Sequence, residues 1–277
     1  MFDAERHRIE RLEFRKMEIR DWFVKFSSAV LLPWLHRIAK DYKERNGVYL
    51  NGVTLLPHYY KEVRDKEIAA LASLFITEKR MMEQVKIMRE ILTPSPWNWF
   101  VSRGFVELGT GKVMGMRISG WNYGAKNIEI SEFFDKLQDK YLQTGSFPSG
   151  EDIKRLLPPL PQMPNNLRWL RIVLEDDVYG GGLSHDRRLC PITKDVTELL
   201  KVCFPNYRAY GTVDDAISLF AFDDDSDFFY AALAFKELSK SNPKGCRKMR
   251  DVIPRWYSKG EYVCPVFWKR RFPWMFD

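Results

Sequence analysis

Apolar residues recur at helical spacing along most of the chain. Between residues 4 and 45 they form a broad stripe separated by charges of both signs, which predicts a long helix that Pro33 breaks or kinks near Leu32. Further helices are predicted, in chain order, at Asp65–Phe75, Glu78–Leu92, Ser131–Tyr141, Thr193–Val202, Asp214–Phe220 and Phe228–Leu238. Four residues are suited to be helix caps: Asp65, Ser131, Thr212 and Asp227. The pattern predicts an all-α protein of roughly eight to eleven helices.

Two segments between the helices carry other signals. Trp97-Asn98-Trp99-Phe100 follows a proline turn, and such a cluster either fills a gap between helices or stacks on unpaired bases. We favour the gap-filling interpretation. Five glycines between Gly104 and Gly120 indicate a loop or a short hairpin, since the spacing does not match that of a phosphate-binding loop.

Composition and charge narrow the class of protein. The chain has 277 residues, of which 45% are hydrophobic and 14% aromatic, enough for a packed core. Lys and Arg number 44 against 37 Asp and Glu, which gives a net charge of +7 and favours a polyanionic partner without demanding one.

Cysteine spacing and hydropathy argue against a metal-binding protein and against a membrane protein. Cys190, Cys203, Cys246 and Cys264 form no C-x-x-C pair, so we expect thiols in a reducing compartment and no metal or cofactor. The N-terminus is charged, and no apolar run approaches the ~20 residues of a membrane span. We therefore expect an intracellular, cytoplasmic protein without a membrane segment, nucleoid-associated if it is bacterial.

One stretch of the chain has a pattern that predicts phosphate binding. Leu160-Pro161-Gln162-Met163-Pro164-Asn165-Asn166 precedes an apolar helix, and after a Gly-rich break comes Pro191-Ile192-Thr193-Lys194-Asp195-Val196. A short hairpin followed by a helix turns backbone N–H groups outward at the helix N-terminus, where they hold a phosphate whatever the base sequence. The pattern is typical of a helix-hairpin-helix unit.

At these residues the chain resembles the helix-hairpin-helix DNA glycosylases. Leu160–Asn166 sits where that superfamily carries an L-P-G-V-G-x-K hairpin, and Pro191–Val196 where it carries P-x-D-T-H-V. Leu167–Arg171, Asp176–Gly181 and the aspartate-rich Phe222–Tyr230 are similar to segments of an uncharacterised bacterial branch of it. The resemblance spans roughly residues 56–238. It implies a two-lobed all-α fold with a cleft, the hairpin at its mouth, and DNA, or else RNA, as partner.

The departures from the family pattern bear on chemistry. The lysine that forms a Schiff base in the lyase-type enzymes is Asn166 here, and the supporting aspartate is Thr193, and neither can do that chemistry. Asp195, two residues on, is the remaining candidate carboxylate. Lys194 and His185 complete the candidate catalytic set, although a solvated histidine is the commoner reading of His185.

Candidate nucleic-acid contacts lie in the hairpin and the helix after it: Gln162, Met163, Pro164, Asn165, Asn166, Arg168 and Arg171. The two arginines flank Trp169, so they either contact phosphates or cover a buried indole with their aliphatic stems. Beyond residue 241, basic and aromatic residues interleave. That tail either binds nucleic acid or docks its aromatic side chains on the helical body, and the sequence leaves both open.

Two other groups have structural explanations. His36 on an apolar face is expected to be a packing histidine, and the run Asp223–Asp227 is expected to cap a helix rather than bind a divalent cation.

These observations predict three regions: an N-terminal helical extension at 1–55, a glycosylase-like domain at 56–240 and a basic-aromatic tail at 241–277. Three functions follow from the resemblance. The first is a nucleic-acid-binding protein that acts on a damaged or modified base without lyase activity. The second is a catalytically inactive binding or assembly module, and the third a phage-type enzyme that remodels modified thymine. The sequence does not indicate the oligomeric state.

Overall fold

In the computed structural model the described part of the chain is mostly helical, which confirms the all-α prediction, although its helices are more numerous than the eight to eleven predicted. The structure describes residues 2–47, 52–76, 81–109, 112–113, 116–117, 127–146, 150–160, 163–173, 190–259 and 265–276. In those ranges the only strands are β1 (Lys112–Val113) and β2 (Met116–Arg117), an antiparallel pair in which Lys112 lies opposite Arg117. They lie in the segment where a loop or short hairpin is predicted.

Sixteen α-helices lie in the described ranges. In chain order they are α1 (Phe2–Ser27), α2 (Leu31–Asn46), α3 (Gly52–His58), α4 (Val63–Ser73), α5 (Met81–Ile91), α6 (Pro96–Val101), α7 (Phe105–Gly109), α8 (Asn127–Thr144), α9 (Gly150–Leu156), α10 (Met163–Val173), α11 (Lys194–Cys203), α12 (Tyr207–Tyr210), α13 (Val213–Ser218), α14 (Asp227–Ser241), α15 (Pro243–Lys259) and α16 (Pro265–Arg271). A 3-10 turn at Pro273–Met275 follows α16.

The chain divides into two compact units. Unit 1 combines Met1–Gly47 with Leu189–Asp277, and unit 2 is the continuous segment Val48–Arg188. This partition differs from the three sequence-based regions, whose boundaries at 55/56 and 240/241 fall inside unit 2 and unit 1. The difference arises because helices from both ends of the chain pack together, and such pairing leaves no mark in local sequence.

Unit 1 is built around α14. Eight consecutive residues, Phe228–Phe235, are buried, so this part of the helix is apolar on all sides and needs partners around it. Its principal partner is α2, with α11 and α15 also against it. Phe23 of α1 adds ring contacts to Phe204 at 4.6 Å and to Phe220 at 5.0 Å between centroids. His36 stacks on Phe222 at 4.2 Å, which confirms its packing role.

Several aromatic residues of the C-terminal tail also belong to this core. Trp268 and Phe272, one helical turn apart, are fully buried. Trp268 meets Phe26 of α1 with ring centroids 5.6 Å apart, and Trp274 meets Trp34 of α2 at 5.7 Å. The buried aromatic residues of the tail therefore dock on the helical body, which is one of the two interpretations that the sequence leaves open.

Unit 2 has its own core. In α4 every residue from Glu67 to Ser73 is buried, and the Glu67 carboxylate accepts a hydrogen bond from Arg64 at 2.9 Å. Trp99 and Phe100 are buried, and Trp99 meets Phe134 of α8 with centroids 5.0 Å apart. The aromatic cluster thus fills a gap between helices, as predicted.

Several predicted helix boundaries are wrong. The break between α1 and α2 lies at residues 28–30, before Pro33, because a proline within the first turn of a helix lacks only an N–H that the helix does not use. Asp65 lies inside α4 and accepts from the Trp97 N–H at 2.9 Å, and Ser131 lies inside α8. Asp227 is the first residue of α14, after Ser226 as N-cap.

Three further properties concern the described part of the chain. No helix there has both the length and the apolar character needed to cross a membrane. Nor does any group of three or more His, Cys, Asp and Glu side chains come close enough to hold a metal ion. Cys190, Cys203 and Cys246 are buried thiols, and burial raises the pKa of Cys203.

Candidate nucleic-acid interface

The last four residues of the predicted hairpin, Met163 to Asn166, lie in α10. Leu160 lies in an irregular segment and the helix begins at Met163, whereas Gln162 lies outside the described residues, as does the Met163 side chain. Pro164 is exposed in the first turn and has no N–H to offer. The start of α10 therefore presents one backbone donor fewer than an ordinary helix N-terminus, and Asn165 beside it is half-buried.

Asn166 points into unit 2. Its side chain is only 7% exposed, and the amide nitrogen donates to the carbonyls of Leu74 and Ile76, both at 2.8 Å. Those carbonyls follow the end of α4, where backbone acceptors have no partner within the helix. Asn166, at the position where the resemblance would place a lysine, thus joins α10 to the end of α4. Its side chain is an amide and has no amine.

Of the two arginines of α10, Arg168 is the one whose side chain the structure describes. Arg168 is half-buried beside Trp169, whose side chain is 6% exposed. The Arg171 side chain lies outside the described residues. Arg168 has the partial burial of a side chain whose stem covers apolar surface.

The candidate catalytic residues of the second segment lie in the first turn of α11. Thr193 is the N-cap and its hydroxyl accepts from the Val196 N–H at 3.2 Å. Lys194 is exposed. Asp195 is half-buried and accepts a hydrogen bond from Lys236 Nζ of α14 at 2.7 Å. Lys236 was not among the predicted site residues, and no local signal marks a partner 41 positions away.

The predicted site is therefore divided between the two units. Asn165, Asn166 and Arg168 belong to unit 2, whereas Lys194 and Asp195 belong to unit 1. His185 lies outside the described residues. The catalytic and phosphate-binding roles of these residues stay predictions.

A second basic surface lies on the last two helices of unit 1. We call it the C-terminal basic face and define it by its exposed cations, which are Lys244, Arg247, Lys248, Arg250 and Arg255 on α15 and Lys269, Arg270 and Arg271 on α16. On the described side chains of these helices, Asp251 is the only carboxylate. Cys246, Met249 and Ile253 form the buried side of α15. Arg250 borders that side, and the other cations of α15 lie on the opposite side.

Cations of α11 and α15 act on the Glu198 carboxylate. A hydrogen bond from Lys201 lowers the pKa of Glu198, and the charges of Arg250 and Lys194 act in the same direction. Arg250 also lies over the Phe235 ring, 5.6 Å from its centroid. Glu198 thus lies near cations of both helices.

Comparisons of the chain with protein-family models, with curated proteins and with solved structures found no match.

Proposed function

We propose that this protein binds nucleic acid through the C-terminal basic face. The observation that carries the proposal is the charge ratio on α15 and α16, where eight exposed cations stand against one carboxylate among the described side chains. A surface with so strong an excess of Lys and Arg attracts a polyanion, and each phosphate that it neutralises releases condensed counterions. The net charge of +7 acts in the same direction over longer distances.

We further propose that the helical scaffold is related to the two-lobed helix-hairpin-helix DNA glycosylases, with DNA, or else RNA, as the partner. Within that proposal a binding or assembly module is favoured over a lyase-type enzyme. The Asn166 side-chain amide donates to two buried carbonyls, and the Asp195 carboxylate already has Lys236 as a cationic partner. A hydrolytic enzyme acting on a damaged or modified base, or one that remodels modified thymine, would need a carboxylate that faces its substrate.

Fluorescence anisotropy with labelled duplex and single-stranded oligonucleotides over a salt series tests the proposal. The test variant is Lys244→Gln/Arg247→Gln/Lys248→Gln, which removes three exposed charges from α15. We expect weaker binding to every sequence, with a slope of log K against log salt that is smaller by up to about three units.

The matched control is Arg15→Gln/Arg20→Gln/Lys25→Gln on α1. It removes the same number of charges from exposed positions, but acidic residues such as Glu13, Glu18 and Asp21 alternate with them. We expect this variant to bind nearly as the wild type does. Equal losses in the two variants would show that net charge alone attracts the oligonucleotide, and an absence of wild-type binding at low salt would overturn the proposal.

A further inference from the structure

The outer side of α16 combines an exposed aromatic ring with guanidinium groups. Phe267 is 61% exposed and Val266 is 71% exposed. Arg270 and Arg271 follow Phe267 by three and four positions, so on a helix both side chains neighbour the ring. Neither arginine forms an ion pair with a described residue. We call these four residues the α16 outer face.

The opposite side of the helix is fixed to unit 1. Trp268 and Phe272 are fully buried, and the Trp268 ring lies between Phe26 at 5.6 Å and Trp256 at 5.0 Å, measured between centroids. Because these two anchors are one turn apart on the inner side, they determine the rotation of α16 about its axis. Phe267 is consequently held in solvent, where burying it against a partner gains hydrophobic free energy.

We propose that the α16 outer face binds single-stranded nucleic acid, with a base stacked on Phe267 and adjacent phosphates on Arg270 and Arg271. This inference rests on the proposed function and names its substrate class. An unpaired base has a free π-face, whereas the bases of a duplex are already stacked on one another. Phe carries no hydrogen-bonding group, so the contact tolerates any base.

An anionic membrane surface is the competing partner for a basic helix with apolar residues. Helices that lie in a membrane interface bury a continuous apolar side in the lipid. The α16 outer face offers one ring and one valine in a helix of 7 residues, and its two arginines follow the ring by three and four positions. Guanidinium groups beside a single aromatic ring suit phosphates and a base better than they suit an acyl layer.

The test compares affinity for oligothymidylate with affinity for a duplex of equal length, by fluorescence anisotropy on the full chain. Phe267→Ala should weaken single-strand binding at least about fivefold while duplex binding changes much less, since base–aromatic stacking contributes ~1–3 kcal/mol per base. Arg270→Gln/Arg271→Gln should reduce the single-strand salt slope by about 1.4. The control is Phe14→Ala on α1, where the ring is 63% exposed, and we expect no change in either affinity.

Three outcomes would overturn the inference. Wild-type protein that binds duplex but not oligothymidylate would exclude the substrate class and leave the proposed function in place. Equal single-strand affinities for Phe267→Ala and Phe14→Ala, with unchanged thermal unfolding, would exclude the stacking contact. Sedimentation with vesicles of phosphatidylcholine and phosphatidylglycerol that depends on Phe267, with oligothymidylate binding unaffected, would identify a membrane surface instead. Failure to bind either oligonucleotide would overturn the proposed function itself.

Discussion

Asn166 shows how one side chain can change the interpretation of a motif. In the family that the chain resembles, this position carries a reactive lysine, whereas here the amide donates to Leu74 and Ile76 in the interior of unit 2. Those carbonyls are 92 and 90 positions away in the chain, so the contact joins distant segments. Its role in the structure is to satisfy backbone acceptors that would otherwise be buried without a partner.

Replacement of Asn166 should therefore destabilise unit 2. Asn166→Ala leaves both carbonyls without their donors, and we expect the free energy of unfolding to fall by about 2–3 kcal/mol. Chemical denaturation followed by circular dichroism measures this change. The control is Asn98→Ala, since Asn98 is exposed on α6 and should cost less than about 0.5 kcal/mol. A neutral Asn166→Ala would mean that water replaces the amide at both carbonyls.

The same residue leads to a prediction about covalent chemistry. Elimination at an abasic sugar requires an amine that forms a Schiff base, and an amide cannot form one. We expect no complex to be trapped by borohydride when this protein is mixed with abasic-site DNA. The measurement is a shifted band on a denaturing gel, with a lyase-type glycosylase as positive control.

If a complex were trapped, Lys194 would be the candidate amine, since its ammonium is exposed in the first turn of α11. A trapped band that disappears in Lys194→Ala would place the amine on α11. A band that persists in that variant would mean that the correspondence between Asn166 and the family's lysine is mistaken.

At the scale of single elements, α13 is a short helix that depends on its cap. The Thr212 hydroxyl accepts from the Asp215 N–H at 3.1 Å, while the Thr212 N–H donates to the Asp215 carboxylate at 2.8 Å. This reciprocal pair satisfies two backbone donors that the helix cannot pair internally. The cap was predicted from the sequence, because its signal lies within three residues.

Thr212→Ala should lower the free energy of unfolding by about 1 kcal/mol at neutral pH. Hydrogen bonds from the Thr212 side chain and backbone hold the pKa of Asp215 below its ordinary value. Since the folded pKa is the lower one, this stabilisation is present above the ordinary carboxyl pKa and is lost as the pH falls through the folded value. The difference between the variant and the wild type should therefore shrink below about pH 4.

Denaturant titrations at neutral and acidic pH measure that difference. Thr197→Ala is the matched control, because the Thr197 hydroxyl lies within α11 and donates to the Lys194 carbonyl at 2.9 Å without capping the helix. Alanine has the higher helix propensity, so little or no loss is expected there. A gap between Thr212→Ala and wild type that stayed constant with pH would exclude a contribution from the Asp215 carboxylate.

At the scale of the whole molecule, unit 1 depends on both ends of the chain. Trp268, Phe272 and Met275 are buried from the C-terminal side, and the Met275 carbonyl accepts from Arg37 of α2 at 2.7 Å. Removal of one large buried side chain typically costs ~3–5 kcal/mol, and whole domains are stable by only ~5–15 kcal/mol. The last two helices are therefore part of the fold of unit 1.

We expect a chain that ends at Ser241 to lose the cooperative unfolding of unit 1, because Phe26 and Trp34 lose their C-terminal ring partners. Differential scanning calorimetry of the truncated and full-length chains measures this loss. Removal of Phe276 and Asp277 alone is the control and should leave the transition nearly unchanged. If the chain that ends at Ser241 kept the full unfolding transition, α15 and α16 would not be part of the cooperative fold of unit 1.

The sequence by itself determined the features whose signals are local. Apolar spacing predicted the helical class, Thr212 and Thr193 mark helix starts, and the count of Lys and Arg predicted a basic surface. Helix boundaries were less secure, since Asp65 and Ser131 have good capping side chains and yet lie inside helices. The capping signals lie within about one helical turn, which is the distance over which propensity acts, and the charge count depends on composition alone.

Only the tertiary structure decided which residues those signals serve. It divides the tail into the buried Trp268 and the exposed Phe267, gives Asp195 its partner Lys236, and draws the Asn166 amide into the interior. The two chain ends meet in unit 1 for the same reason: the eight buried residues of α14 need apolar partners on every side, and helices distant in sequence supply them. Burial and pairing of this kind depend on the positions of many residues at once, so no local pattern records them.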